Sequence, residues 1–142
     1  MEDEKYQQLH NRPKITNKKK LYCAISGSQE IFHGHSIFNS KETFKVIQVR
    51  KGHIRKNDLT YVLMHSTSEI VIRIDIIGAT HQGIPTPHVH IFDERHNQGA
   101  ICIPLSKIQD YDRTDDIASS LGEFLKYNNF EMANLQISEK TV

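Results

Sequence analysis

The run Glu69–Ile77 constrains the fold of this chain more than any other, because six of its nine positions are β-branched. Ile70, Ile72, Ile74 and Ile76 alternate with Val71, Arg73, Asp75 and Ile77, and residues two apart in a strand share a face. Apolar side chains on both faces mark a central strand, covered on both sides. Arg73 and Asp75 within such a strand need partners, because an unpaired buried charge is costly.

Further strand-like stretches surround this one. Residues 21–26, 31–38, 43–50 and 59–65 precede it, parted by turn signals at Gly27-Ser28, Asn39-Ser40, Lys51-Gly52-His53 and residues 66–68. Residues 87–92 and 100–103 follow it, the latter ending at Pro104. One helix is expected late, with Thr114 as N-cap and Asp115 and Asp116 in its first turn. Ile117, Leu121, Phe124 and Leu125 form its apolar stripe, and Asn128-Asn129 suits its end. Residues 130–137 are extended but ambiguous. The sum is an α+β fold: a mostly antiparallel, curved sheet covered by one C-terminal helix.

A length of 142 residues with 37% apolar content suits one globular core. Residues 1–20 are polar and lack periodicity, with positive charge at Arg12, Lys14, Lys18, Lys19 and Lys20. They read as a solvated basic arm, or alternatively as a tail touching an acidic partner or a phosphate backbone, followed by a single α+β domain over residues 21–142. Eighteen basic against seventeen acidic residues argue against a dedicated nucleic-acid binder, though not against a local patch. No apolar run approaches a membrane span. The opening Met1-Glu2-Asp3-Glu4-Lys5 resembles neither a signal nor a transit peptide. Cys23 and Cys102 make no disulfide framework and read as core residues, with Cys102 alternatively a ligand that completes a soft metal site. A cytoplasmic protein is expected.

Chemistry concentrates in residues 73–90. In a strand, His88 and His90 stand on one face about 7 Å apart, and His81 lies in the preceding loop. If Ile77 pairs with His88 across a hairpin, Asp75 falls opposite His90 and Arg73 opposite Phe92. Asp75, His88 and His90 then share one face with His81 descending from the loop. Zinc is the natural candidate for three imidazoles and a carboxylate. Asp75 serves either as fourth ligand or as the acceptor that fixes a histidine tautomer, and manganese, iron or nickel stay open. Neither the HExxH helix of hydrolytic zinc enzymes nor the zinc-deaminase pattern is present.

Other candidates are weaker. His33-Gly34-His35 repeats the strand spacing, but its glycine favours a bend or close backbone approach. Asp93 and His96 follow the main motif, with Asp93 pointing away from His88 and His90. Arg73 reads as an ion-pair partner or an anion contact. A catalytic alternative uses His81, His88 and His90 in RNA cleavage, with Arg73 or a lysine stabilising the developing charge.

Residues 45–105 resemble a family of small proteins of Gram-positive bacteria, their prophages and mobile elements. The resemblance rests on residues 54–61, Arg73-Ile74-Asp75-Ile76-Ile77-Gly78, His81, Pro87-His88-Val89-His90-Ile91-Phe92 and Ile103-Pro104-Leu105. The chain departs from that pattern in its shorter loop, Gln82-Gly83-Ile84-Pro85, and in residues 97–102, which lack the usual aromatics. The chain is also similar in size and character to a zinc-binding type II-A anti-CRISPR protein that acts on Cas9. That resemblance implies a non-enzymatic inhibitor held together by metal, with Cas9 as partner and no direct contact with nucleic acid or membrane. Residues 110–116, with Asp110, Asp112, Asp115 and Asp116, are an acidic candidate for engaging a basic channel. Other small proteins bearing Pro-His-x-His resemble toxins of toxin–antitoxin pairs, which implies a histidine-dependent RNase instead.

Overall fold

The computed structural model describes residues 1–51, 58–77, 83–114 and 116–140. In chain order its elements are α1 (Asp3–Asn11), β1 (Lys14–Thr16), β2 (Lys20–Cys23), β3 (Gln29–Ser36), β4 (Asn39–Val49) and β5 (Leu59–His65). They continue with β6 (Glu69–Ile77), β7 (His88–Ile91), β8 (Cys102–Pro104), α2 (Ile117–Tyr127) and β9 (Gln136–Glu139). Seven strands form one antiparallel sheet in the order β1-β3-β4-β5-β6-β7-β8, and β2 pairs with β9 in a separate parallel pair. The fold is α+β, the sheet stays open, and α2 is the C-terminal helix.

The β6 strand occupies the interior of the sheet, as its composition demands, but its two faces are not those of simple alternation. Leu63 pairs with Ile72 while the next residue, Met64, pairs with Ile70, so Val71 is an extra residue in a bulge. Val71 and Ile72 are both fully buried. Ile70 is thereby moved to the face that carries Arg73 and Asp75, and Val71 is moved off it. The expected four-isoleucine face is interrupted at this point.

The core lies between the sheet and α2. Phe44, Val46, Tyr61, Leu63, Ile72, Ile74 and Val89 form its sheet side, and Leu121, Phe124 and Leu125 its helix side. Tyr61 stacks on Phe124 at 5.1 Å, donates its hydroxyl to Ser120 Oγ at 3.0 Å, and accepts from Gln48 Nε2. A polar chain thus crosses an apolar interface fully satisfied. The N-cap of α2 is Asp116, not Thr114: its carboxylate accepts from the Ser119 N–H at 2.8 Å and from the Ser119 hydroxyl. Asp115 lies outside the described residues.

Residues 1–20 are not a solvated arm. Their first half forms α1, which buries Tyr6 and Leu9 in the common core. Their second half adds β1 to the sheet beside β3. Lys14, counted among the arm's charges, is wholly buried, whereas Lys18, Lys19 and Lys20 are exposed. Among the described residues no helix is long and apolar enough to cross a membrane.

Candidate metal centre

Adjacent antiparallel strands place directly opposite residues on the same side, and this rule assembles the site. Val89 and Ile91 pair with Ile74 and Ile72 on the core face, so His88 and His90 must face the other way, away from α2. Asp75 is opposite His88, and Arg73 is opposite His90. The expected register, with Ile77 opposite His88 and Asp75 opposite His90, is corrected by two residues. A two-residue slip leaves every side chain on its face, so the convergence of Asp75, His88 and His90 is unaffected.

The three side chains meet closely. Asp75 Oδ2 lies 2.8 Å from His88 Nε2 and 3.4 Å from His90 Nε2. One ligand atom from each residue falls within 4.8 Å of the other two. A tetrahedral ion with ligands near 2.1 Å separates them by about 3.4 Å, so only small adjustments separate this arrangement from a coordination shell. The side chains of His88, Asp75 and His90 are 0%, 4% and 11% exposed.

Hydrogen bonds around the cluster prepare it for a cation. His90 Nδ1 lies 2.8 Å from the Gly99 carbonyl, an acceptor only, so Nδ1 carries a proton. In a neutral His90 the Nε2 lone pair then faces the Asp75 carboxylate, and a proton or a metal ion must stand between two such electron-rich atoms. This is the tautomer-fixing contact found behind metal-bound histidines. The other oxygen, Asp75 Oδ1, accepts from Thr60 Oγ1 at 2.7 Å and Arg73 Nε at 3.0 Å. Burial raises the Asp75 pKa, but the contacts with His90, Thr60 and Arg73 outweigh it and hold the carboxyl well below the usual range. The hydrogen bond to Asp75 conversely raises that of His90, against burial.

Gly99 and Thr60 are site residues that sequence reading missed. Gly99 has φ +90°, and a Cβ there would come within 2.7 Å of the Phe92 ring. Only glycine lets this carbonyl reach His90 without displacing Phe92. The sequence signal was a glycine ending the polar run Asn97-Gln98-Gly99. Thr60 had no signal of its own until the register placed it opposite Asp75.

Of the other candidates, Arg73 is an ion-pair partner of Asp75. His81 lies outside the described residues. Asp93 and His96 bond to each other at 2.7 Å and stand apart from the cluster. His33 is exposed, and His35 bonds Asn17 through Nδ1. Gly34 between them allows a close approach, since a Cβ would lie 2.6 Å from the Ile15 carbonyl oxygen. Cys23 and Cys102 are buried and form no disulfide. Cys102 pairs directly with His90. Next to the site, a cavity of about 420 Å³ is lined by Thr60, Val62, Ile70, Arg73, Asp75 and Phe92 among others.

An open antiparallel sheet with a helix on one face and a buried Asp-His-His group on the other defines an α+β protein with a possible metal site. The chain belongs to a family of unknown function, DUF6978, whose family model matches residues 1–130. No curated protein and no solved structure matches it. The matched span reaches the first residue, so α1 and β1 are part of the family unit along with the histidine strand.

Proposed function

We propose that the chain is a metal-stabilised binding protein in which Asp75, His88 and His90 hold one zinc ion, with His81 as the fourth ligand. The observation that carries this reading is the convergence of Asp75 Oδ2 and two imidazole nitrogens within 4.8 Å of one another. The near-complete burial of these side chains favours a closed, structural centre over one kept open for catalysis. Bound there, zinc would tie β6 to β7 and supply folding free energy. The chain's own groups do the positioning: Gly99 orients His90, while Thr60 and Arg73 hold the carboxylate.

The partner in this proposal is a host defence nuclease, Cas9, which the protein would inhibit by occupying a surface that nucleic acid or a moving domain requires. Support for that partner is the chain's similarity in size and character to a zinc-binding type II-A anti-CRISPR protein. Pull-down against Cas9, with and without guide RNA, tests it. Retention in at least one condition is expected, and absence of binding in both defeats the assignment.

A second reading is favoured by one feature, the cavity that Arg73 and Lys51 line together with Asp75. Cations next to a carboxylate–imidazole cluster also suit a histidine-dependent RNase. The variant His88→Ala/His90→Ala separates the two. Metal-independent RNA cleavage by the wild type, abolished in the variant, would establish the RNase and sink the inhibitor. Loss of metal and of thermal stability, with no cleavage by the wild type, supports the inhibitor.

A further inference from the structure

The basic residues that the sequence placed on an arm are gathered by the fold into a groove. Residues 17–20 leave β1 and pass beside β3, tied there by the Asn17 N–H donating to the His33 carbonyl at 2.9 Å. Strand β2 then alternates, with Leu21 and Cys23 buried and Lys20 and Tyr22 exposed. Between this segment and the outer face of β3 lies a groove of about 270 Å³. Lys18, Lys20 and Lys140 line it together with Tyr22, Ile31 and His33. Glu30, also in the lining, bonds the Lys140 ammonium and holds it at the groove.

Two features of this lining are unusual together. The first is a local excess of positive charge that the near-zero net charge of the whole chain conceals. The second is exposed ring and aliphatic surface between the charges: Tyr22 is 50% and Ile31 42% exposed. Cations alone suit any polyanion. Cations flanking an accessible aromatic ring suit phosphates joined to planar bases, because every base can stack on the ring while lysines follow the backbone. The volume falls just below the usual range for ligand sites, fitting a base and its phosphate rather than a large molecule.

We propose that this groove binds single-stranded nucleic acid, with Tyr22 as stacking platform and Lys18, Lys20 and Lys140 as phosphate contacts. The site is independent of the metal centre, which is built on β6 and β7 further along the sheet.

Fluorescence anisotropy of the full chain with labelled twelve-residue oligo(dT) and oligo(rU) tests the proposal. Three phosphate contacts predict a log–log salt slope of about −2. Tyr22→Ala should weaken binding by about fivefold or more at unchanged slope. Lys18→Gln/Lys20→Gln should flatten the slope to about −0.7. Lys107→Gln/Lys126→Gln, at exposed positions elsewhere, should change neither. Circular dichroism verifies that each variant is folded. A preference for either sugar supports the proposal and distinguishes DNA from RNA as the source. The proposal is overturned by no binding at low salt, by equal affinity for a duplex, by equal competition from an oligoglutamate peptide, or by an unaffected Tyr22→Ala.

Discussion

Lys14 joins the C-terminal ends of α1 and α2. Its ammonium donates to the carbonyls of His10 and Arg12 at the end of α1 and of Asn128 at the end of α2, at 2.6–3.0 Å. It also lies 5.0 Å from the ring centre of Phe44 and 5.7 Å from that of Phe130. Burial, with the Arg12 charge nearby, draws its pKa down to about 7, while Glu42 opposes the shift. Three carbonyls match the three N–H bonds of the protonated form. Lys14→Ala leaves those acceptors and a cavity behind, and should cost about 3 kcal/mol in urea unfolding; a change below about 0.5 kcal/mol would refute this role. His10, packed between Tyr6 and Tyr127, supplies a pH dependence. Burial, reinforced by the Lys14 charge, lowers its pKa from 6.5 to about 4. As pH falls, the unfolded chain takes up this proton first, so stability is retained above 6.5 and lost progressively toward 4. The loss attributable to His10 approaches roughly 3 kcal/mol at most. Denaturation curves across that range should show this acid limb, and His10→Gln should flatten it.

The first helix illustrates why some elements could not be read in advance. Within Asp3–Asn11 only Tyr6 and Leu9 are apolar and buried, too short a stripe to stand out against seven polar neighbours. Yet Leu9 is 3% exposed, so Leu9→Ala should destabilise the fold by about 2–4 kcal/mol. A solvated arm would show no change in the midpoint of denaturation. Strands β5 and β6 were legible to the residue, because β-branched runs bounded by turns leave little choice. The β6–β7 register was legible only to within two residues, because even shifts preserve the faces and the pairing Ile74–Val89 decides between them. The N-cap of α2 was ambiguous for a related reason: Thr114, Asp115 and Asp116 are consecutive residues of cap-forming type, and only the Ser119 contacts select Asp116. The bulge at Val71 arises from pairing between strands and has no local signature, whereas Gly99 was visible as a glycine but its approach to His90 was not.

At the scale of the whole molecule, α2 secures one face of an open sheet and leaves the site face to be organised by charge. Strands β6 and β7 meet there through Asp75 and two imidazoles in addition to their backbone ladder. A ligand that binds only the folded state stabilises it by about 2.7 kcal/mol at a hundredfold excess over its Kd. Removing the metal with a chelator should therefore lower Tm by roughly 5–10 °C, and restoring zinc should reverse the change. Both responses depend on an ion being bound at all. Elemental analysis of the purified full chain tests that most directly. About one equivalent of metal per chain is expected for the wild type, as purified or after incubation with zinc and desalting, and its loss in His88→Ala/His90→Ala. A wild-type chain that retains no stoichiometric metal under either condition would contradict the assignment of Asp75, His88 and His90 as a metal centre.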